Sequence, residues 1–219
     1  VRRILEWRRN HNIVPCAEGK DASLVDQPVN RNRAMVKIQE GCDQVCAYCI
    51  VPRVRGRERS LSPVEIVGTI NNYVSNGYKE VVLTGTQLGS YGFDLPGIDL
   101  VGLLEQILSD TSVPRLRVSS LQPQEINERL LGLWSDRRLC PHFHIPLQSG
   151  SDKVLSRMRR RYDAEQYINA VKRIREAVSG VSVTADVIMG FPGETDDDFE
   201  QTYNLCDKIS FADMHVFPY

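Results

Sequence analysis

The sequence predicts an α/β fold with a parallel sheet, because short apolar segments alternate with segments of helical periodicity along residues 34–219. The segments expected to be strands are 35–39, 80–84, 116–119, 142–145, 181–189 and 211–217. A helix is expected after every strand but the last, and one of these helices should open at Pro123 and end near Trp134. Right-handed crossovers of this kind bring the carboxyl ends of the strands to one edge, where ligand sites gather.

Capping signals support the helices of this prediction. Ser62 and Glu65 have the spacing of a capping box, with Pro63 at the first helical position. Asp163 and Thr195 are expected to cap two later helices in the same way.

Length and composition indicate an ordinary globular chain. At 219 residues with a net charge of −1, it suits one large domain without a global attraction to nucleic acid. No apolar run approaches the roughly 18 residues of a membrane helix, so we expect no membrane contact and a cytoplasmic location. Residues 1–33, with Cys16, are interpreted as a linker from an upstream domain. Residues 34–219 are interpreted as the core domain, truncated at its C-terminal end.

A compact cysteine motif follows the first predicted strand. Cys42, Cys46 and Cys49 have C-x3-C-x2-C spacing. Three thiolates can hold three corners of a four-iron cluster, which leaves one iron open to a small molecule. A structural zinc site would want four ligands, usually as two spaced pairs. A non-catalytic zinc or iron–sulfur module that binds RNA remains the alternative of another class.

Three segments carry a resemblance to a known family. They are VKIQEGCDQVCAYCIVPRVRGRERS at residues 36–60, PLQSGS at 146–151 and MGFPGE at 189–194. Together they resemble the radical S-adenosylmethionine (SAM) enzymes, and among these the methylthiotransferases of the tRNA-modifying branch. The resemblance implies an open partial (β/α)6 barrel of the TIM type, one 4Fe-4S cluster on the three cysteines, and SAM as cofactor.

The resemblance also implies which residues contact SAM. The segment at Thr86 matches the motif for the methionine amino group, Gln148 would bond a ribose or carboxylate, and Arg161 would pair with the SAM carboxylate. The complete expected set is Tyr48, Gly85, Thr86, Gln87, Ser119, Gln148, Ser149, Arg161, Met189, Gly190 and Phe217.

The implied reaction begins with reductive cleavage of SAM to a 5′-deoxyadenosyl radical. It ends with methylthiolation at C2 of an adenosine beside the anticodon that carries an N6-threonylcarbamoyl or isopentenyl group. The implied partners are a tRNA anticodon stem-loop and an electron donor such as flavodoxin or ferredoxin. A second 4Fe-4S cluster is expected in the upstream domain. A methylthiotransferase acting on a ribosomal protein is the close rival.

The remaining polar signals have simpler interpretations. Arg53, Arg55, Arg57 and Arg59 alternate, and would form one basic rim for phosphate contacts if the segment is extended. Cys140 and Cys206 are interpreted as structural thiols, and His142 and His144 as structural histidines on one face of a strand.

Overall fold

The computed structural model describes residues 32–219. The expectations for residues 1–31, including Cys16, lie outside these described residues. Its strands are β1 Arg33–Lys37, β2 Gln39–Glu40, β3 Arg59–Ser60, β4 Glu80–Thr84, β5 Arg115–Val118, β6 His142–His144, β7 Ser182–Met189 and β8 Asp213–Pro218. Its α-helices are α1 Val51–Val54, α2 Pro63–Ser75, α3 Leu100–Asp110, α4 Glu128–Gly132, α5 Asp152–Arg157, α6 Ala164–Ala177 and α7 Asp196–Ile209.

The sheet consists of two parallel segments, with strand orders β1-β4-β5 and β6-β7-β8. A parallel bridge between Ser120 and His144 joins the two segments. Within residues 32–219 no pairing closes β8 onto β1, so the sheet forms an open partial barrel. The expected α/β fold with a partial (β/α)6 barrel is confirmed. The short strands β2 and β3 pair antiparallel on either side of the cysteine motif.

The main apolar core lies between the sheet and the helices. Along β7 buried and half-buried residues alternate, because successive side chains of a strand point to opposite faces. Leu83 of β4 and Leu103, Leu104 and Ile107 of α3 are fully buried members of one cluster. Each such side chain stabilises the fold by roughly 1.5–3 kcal/mol. The opposite face of the sheet, called here the inner face, carries polar side chains instead.

Helix starts agree with the capping signals. The Ser62 hydroxyl accepts a hydrogen bond from the Glu65 amide, and the Glu65 carboxylate accepts one from the Ser62 amide. Asp163 and Thr195 form the same reciprocal box at α6 and α7. Loss of such a cap costs about 1 kcal/mol. None of the helices in the described part of the chain combines the length and apolarity needed to cross a bilayer.

The helix expected from Pro123 to Trp134 is broken, so this prediction is wrong. A 3-10 turn at Pro123–Glu125 comes first, then α4, then a second 3-10 turn at Leu133–Ser135. Asn127 has extended backbone, and its side chain accepts from the amide of Leu130. The chain therefore begins a new helix at this cap instead of continuing the first turn.

The arginine-rich segment is not one extended stretch, which corrects the expected basic rim. Arg53 lies within the helix α1. Arg55 and Arg57 form ion pairs with Glu40 and Asp43, at 3.0 and 2.8 Å. Half of the four charges are therefore compensated by neighbouring carboxylates, and the alternation does not place them on one side.

Candidate active site

The cysteine loop lies between β2 and α1 at the carboxyl edge of the sheet. Gly41 enters it with a φ of 77°, and an added Cβ would come within 2.0 Å of the Arg57 carbonyl oxygen. The Cys42 amide donates to the Gly56 carbonyl at 3.2 Å, and the Asp43 carboxylate pairs with Arg57 at 2.8 Å. The segment after α1 thus closes the loop, and this close approach requires glycine at position 41.

The loop is docked on α5 and on the turn after β7. The Ala47 amide donates to the Met158 carbonyl at 3.0 Å. The Tyr48 ring meets the Phe191 ring edge to face at 6.5 Å between centroids and packs on a small cluster with Val154 and Met158. Burial raises the pKa of Tyr48 well above its ordinary value. The phenol is therefore a neutral, ordered wall of the carboxyl edge, called here the mouth.

Three half-buried thiols, Cys42, Cys46 and Cys49, occupy the loop. The Gln44 amide donates to the Cys42 sulfur and a guanidinium nitrogen of Arg160 to the Cys46 sulfur, each at 3.4 Å. In residues 32–219 no three His, Cys, Asp or Glu side chains converge as ligands of a single metal ion. A four-iron cluster makes a different demand, because each thiolate binds its own iron and hydrogen bonds to sulfur tune its potential. This donor set fits such a cluster with one open iron.

The other two cysteines of the described part are buried thiols. Cys140 precedes β6, and burial raises its pKa. Cys206 lies in α7, where burial raises its pKa to about 12. Both thiols keep their protons at neutral pH, which suits a structural role.

Gln39 connects the cysteine loop to the motif after β4. Its buried amide donates to the Gly41 carbonyl at 2.9 Å and accepts from the amides of Thr86 and Gln87, both at 2.9 Å. A Cβ on Gly85 would lie 3.1 Å from the Gln39 carbonyl oxygen. The residues predicted to bind the methionine amino group therefore lie beside the loop. Sequence reasoning missed Gln39, because its partners after β4 are distant in sequence.

The guanidinium of Arg160 is the cation of the mouth. Its partners are uncharged acceptors: the Cys46 sulfur at 3.4 Å, the Tyr48 phenol at 3.3 Å, the Tyr162 phenol at 3.1 Å and the Gln122 amide oxygen. Burial opposes the charged form of Arg160, but the neighbouring phenols and the thiol outweigh it and raise the pKa. No carboxylate of residues 32–219 forms an ion pair with it. A half-buried cation that forms no ion pair with the protein can bind an anionic ligand.

A left-handed turn decides which arginine enters the mouth. Arg159 has a φ of 58°, a conformation that costs a non-glycine residue roughly 1–2 kcal/mol. The turn leaves Arg159 and Arg161 exposed and directs Arg160 inward. The sequence prediction placed the carboxylate contact on Arg161, but in the structure the half-buried neighbour Arg160 faces the mouth. Three consecutive arginines carry no local signal that distinguishes them.

Glu125 completes the polar network of the mouth. Its carboxylate accepts from the Gln87 amide group and, at 2.8 Å, from the Gln122 backbone amide. The Glu125 carboxyl group also packs against Gly89. A Cβ added at Gly89 would lie 1.8 Å from the carboxyl carbon of Glu125, so this contact requires glycine at position 89. Burial raises the pKa of Glu125 to about 7. This carboxyl group is another member of the site that sequence reasoning missed.

Gln148 and Ser149 take different positions after β6. Gln148 has a φ of 64°, and its backbone bonds the Asp186 carbonyl and the Ile188 amide, both at 2.8 Å. It therefore lies at the mouth beside β7. Ser149 is fully buried, with its hydroxyl 3.2 Å from the Thr202 hydroxyl of α7. Its side chain faces the helix layer instead of the mouth, contrary to the expectation from sequence.

The other predicted SAM contacts lie at neighbouring strand ends. Ser119 is half-buried after β5. Met189 is buried in the core, so only its backbone reaches the edge. Gly190 has a φ of 79° with open space around it, and Phe217 is 50% exposed. The structure brings these positions to one edge, and their contacts with a ligand stay predictions.

Residues 36–206 match the family model of the radical SAM superfamily. The chain belongs to the radical SAM superfamily. This membership confirms the expectation of a 4Fe-4S cluster and SAM as the cofactors of the core.

This radical SAM chain is similar to curated enzymes of tRNA modification. It is 43% identical over 195 residues to threonylcarbamoyladenosine tRNA methylthiotransferase MtaB of Bacillus subtilis, covering 87% of the chain and 43% of the relative. It is 39% identical over 212 residues to tRNA-2-methylthio-N(6)-dimethylallyladenosine synthase of Caldicellulosiruptor saccharolyticus, covering 94% and 45%. The chain thus spans less than half the length of these relatives.

Solved structures share the fold at low sequence identity. The radical SAM methyltransferase TsrM from Kitasatospora setae superimposes with a TM-score of 0.69 at 18% identity, covering 84% of this chain and 35% of that one. Coproporphyrinogen III oxidase HemN from Escherichia coli gives 0.59 at 16% identity, covering 86% and 44%. These likenesses support the partial-barrel fold of the radical SAM chain.

Proposed function

We propose that the protein is a radical SAM methylthiotransferase that modifies tRNA. The observation that carries the proposal is Arg160, a half-buried cation that forms no ion pair with a carboxylate of residues 32–219 and lies 3.4 Å from the sulfur of Cys46. An amino-acid carboxylate bound there would lie beside the open iron of a cluster. Similarity to two enzymes named for tRNA methylthiolation supports the reaction class.

The residues of the mouth have separate roles in this proposal. A cluster on Cys42, Cys46 and Cys49 would supply one electron to SAM, the source of the radical. Arg160 binds the SAM carboxylate through charge-assisted hydrogen bonds. Tyr48 excludes water from that side of the site, because its ring is packed on Phe191.

The remaining SAM contacts follow from the strand ends. The segment of Gly85, Thr86 and Gln87 positions the methionine amino group, with Gln39 fixing its backbone. Gly190 lets the adenine approach the end of β7, where a side chain would occupy the open space beside the backbone.

We propose C2 of a modified adenosine beside the tRNA anticodon as the target, with the N6-threonylcarbamoyl form first and the isopentenyl form second. Exposed Arg53 and Arg159 lie beside residues 45–50 of the cysteine loop and suit contacts with phosphates. An electron donor such as flavodoxin or ferredoxin is the second proposed partner.

We also propose that residues 1–33 form a linker and residues 34–219 the core domain. Sulfur would be supplied through a second cluster in an upstream domain.

The test is an anaerobic assay of the 219-residue chain after reconstitution with iron and sulfide. Dithionite and SAM are added with tRNA that lacks the methylthio group, and nucleosides are analysed by mass spectrometry. We expect 5′-deoxyadenosine without methylthiolated nucleoside from this chain, and both products from a protein that also carries the upstream domain.

Three outcomes would each contradict a part of the proposal. Stoichiometric zinc without iron after anaerobic preparation would exclude the cluster. Methylthiolation of a ribosomal protein, with no product on tRNA, would assign the rival substrate. Methylthiolated tRNA from the chain alone would show that the proposed source of sulfur is wrong.

A further inference from the structure

A string of hydrogen-bonded side chains crosses the inner face of β6, β7 and β8. Its members are His142, Thr184, His144, Asp186 and His215, joined in this order by contacts of 3.3, 2.9, 3.1 and 3.2 Å. All five occupy strand positions that alternate with core residues, so they face away from the helices. The string is not part of the cysteine loop or of the Arg160 network.

Hydrogen-bond roles within the string follow from Asp186, which accepts only when ionised. Burial opposes ionisation, but the hydrogen bonds and charges of His144 and His215 lower the pKa of Asp186. His144 therefore donates from Nε2 and His215 from Nδ1. With Nδ1 held in this way, the Nε2 of His215 is directed away from Asp186, and it has no hydrogen-bond partner within residues 32–219. The His215 side chain is 56% exposed, against 16% for His144.

The exposed end of the string lies below the mouth. Asp186 pairs with His215 in the sheet, and Ile188 pairs with Phe217. Met189, at the proposed SAM edge, is three residues beyond Asp186, which corresponds to about 10 Å of strand. The His215 and Phe217 rings are 6.3 Å apart. A substrate substituent that reaches down the inner face from the mouth therefore meets His215 before the half-buried histidines of β6.

The chemistry of this position distinguishes the two N6 substituents in the relatives' names. A dimethylallyl group is a hydrocarbon, and placing it against His215 would remove water from Nε2 without replacing the hydrogen bond. A threonylcarbamoyl group ends in a carboxylate. A charged His215 can donate from Nε2 to that carboxylate while Nδ1 stays on Asp186.

We propose that His215, oriented by Asp186 and His144, forms the subsite for the carboxylate of an N6-threonylcarbamoyl substituent. This inference rests on the proposed function, since it places the modified adenosine of tRNA in the mouth. It assigns His215 as a residue that determines specificity, and Asp186 and His144 as the residues that position it.

The test compares His215→Phe with His215→Gln in the full-length protein, on tRNA carrying either substituent. Phe fills the position without a donor, whereas Gln keeps one. For His215→Phe we expect KM for threonylcarbamoyl tRNA to rise about 10- to 100-fold, as for loss of a hydrogen bond to a charged group. Over the same comparison KM for dimethylallyl tRNA should stay the same or fall. His215→Gln should remain within about fivefold of the native protein.

A binding measurement separates this inference from the proposed function. Calorimetry with the nucleosides N6-threonylcarbamoyladenosine and N6-dimethylallyladenosine needs no turnover, and native cluster absorbance shows that each variant is folded. If the native protein modifies neither tRNA, the proposed function fails and calorimetry still tests the subsite. Equal affinity of the native protein for both nucleosides, or an unchanged preference in His215→Phe, would overturn the subsite.

Discussion

The two edges of the sheet hold opposite electrostatic arrangements. At the mouth, Arg160 is surrounded by uncharged acceptors and has no carboxylate partner among residues 32–219. At the amino edge, called here the floor, Glu80 is 8% exposed and carries ion pairs to three arginines. These are Arg33 at 2.9 Å, Arg117 at 3.0 Å and Arg115 at 3.2 Å.

This difference in charge compensation indicates that the floor contributes to stability and the mouth to ligand binding. The floor compensates its charge internally, so its carboxylate is a contributor to stability. The mouth contains a half-buried cation, Arg160, without an ion-pair partner among residues 32–219. Such a charge contributes little to stability but can bind an anionic ligand. We therefore expect substitutions at the mouth to change ligand binding more than folding, and substitutions at the floor to do the reverse.

The largest effect is expected for the thiols. Replacing Cys42, Cys46 or Cys49 by Ala should abolish cluster binding, because three ligands leave none to spare. Iron and sulfide analysis with visible absorbance, after anaerobic reconstitution, measures the loss. Cys140→Ala, near the floor, is the matched control and should keep the full iron content. Loss of iron in Cys140→Ala alone would place the cluster elsewhere.

The second prediction tests the uncompensated cation. Arg160→Met should weaken SAM binding about 30- to 1,000-fold, the usual cost of removing one partner of a buried charge pair. The free energy of unfolding should change less than the free energy of SAM binding, by about 1–2 kcal/mol, because Arg160→Met removes hydrogen bonds to uncharged acceptors but breaks no ion pair. Calorimetry with SAM and urea unfolding measure both quantities. Arg161→Met is the control, and stronger weakening in that variant would restore the original sequence prediction.

The third prediction concerns the floor. Glu80→Gln should lower the free energy of unfolding by roughly 2 kcal/mol, less than for a fully buried pair because Arg33 and Arg115 can hydrate. SAM affinity should not change. Glu105→Gln, which breaks the exposed pair with Arg129 at 3.5 Å, should cost no more than about 0.5 kcal/mol. If Glu80→Gln and Glu105→Gln lowered the free energy of unfolding by the same amount, the ion pairs of the floor would be no more stabilising than an exposed pair.

The pH dependence of the floor has a definite sign. Burial opposes ionisation of Glu80, but Arg117, Arg115 and Arg33 lower its pKa below the ordinary 4.5. A lowered folded-state pKa stabilises the protein above pH 4.5, and this contribution is lost as the pH falls through the folded value. The difference in unfolding free energy between the native protein and Glu80→Gln should therefore shrink in acid. A difference that grows in acid would contradict the pairing.

The smallest effect is expected at Glu125, whose pKa burial raises to about 7. The folded pKa lies above the unfolded one, so ionisation of Glu125 costs stability. The free energy of unfolding should fall by about 1–2 kcal/mol between pH 5 and pH 8 from this group. Urea unfolding of the native protein and of Glu125→Gln isolates the effect from histidine titration. A difference between them that is independent of pH would contradict the raised pKa.

Local signals were sufficient for much of the fold. Strand alternation and capping boxes act within a few residues, and Ser62 with Glu65 behaves in the structure as its spacing predicts. The spacing of Cys42, Cys46 and Cys49 likewise requires no tertiary information, because one loop supplies all three thiols. The broken helix after Pro123 shows the limit, since the cap at Asn127 competes with helical continuation.

The sequence by itself determined the α/β fold, the strand ends and the three thiols, because each depends on neighbours along the chain. Only the tertiary structure decided the contacts between distant segments. Gln39 bonds residues 47 and 48 positions later, and the left-handed turn at Arg159 selects Arg160 instead of Arg161. Asp186 joins histidines from two neighbouring strands. Such contacts form when the sheet brings remote residues within hydrogen-bond distance, and periodicity and spacing do not encode that proximity.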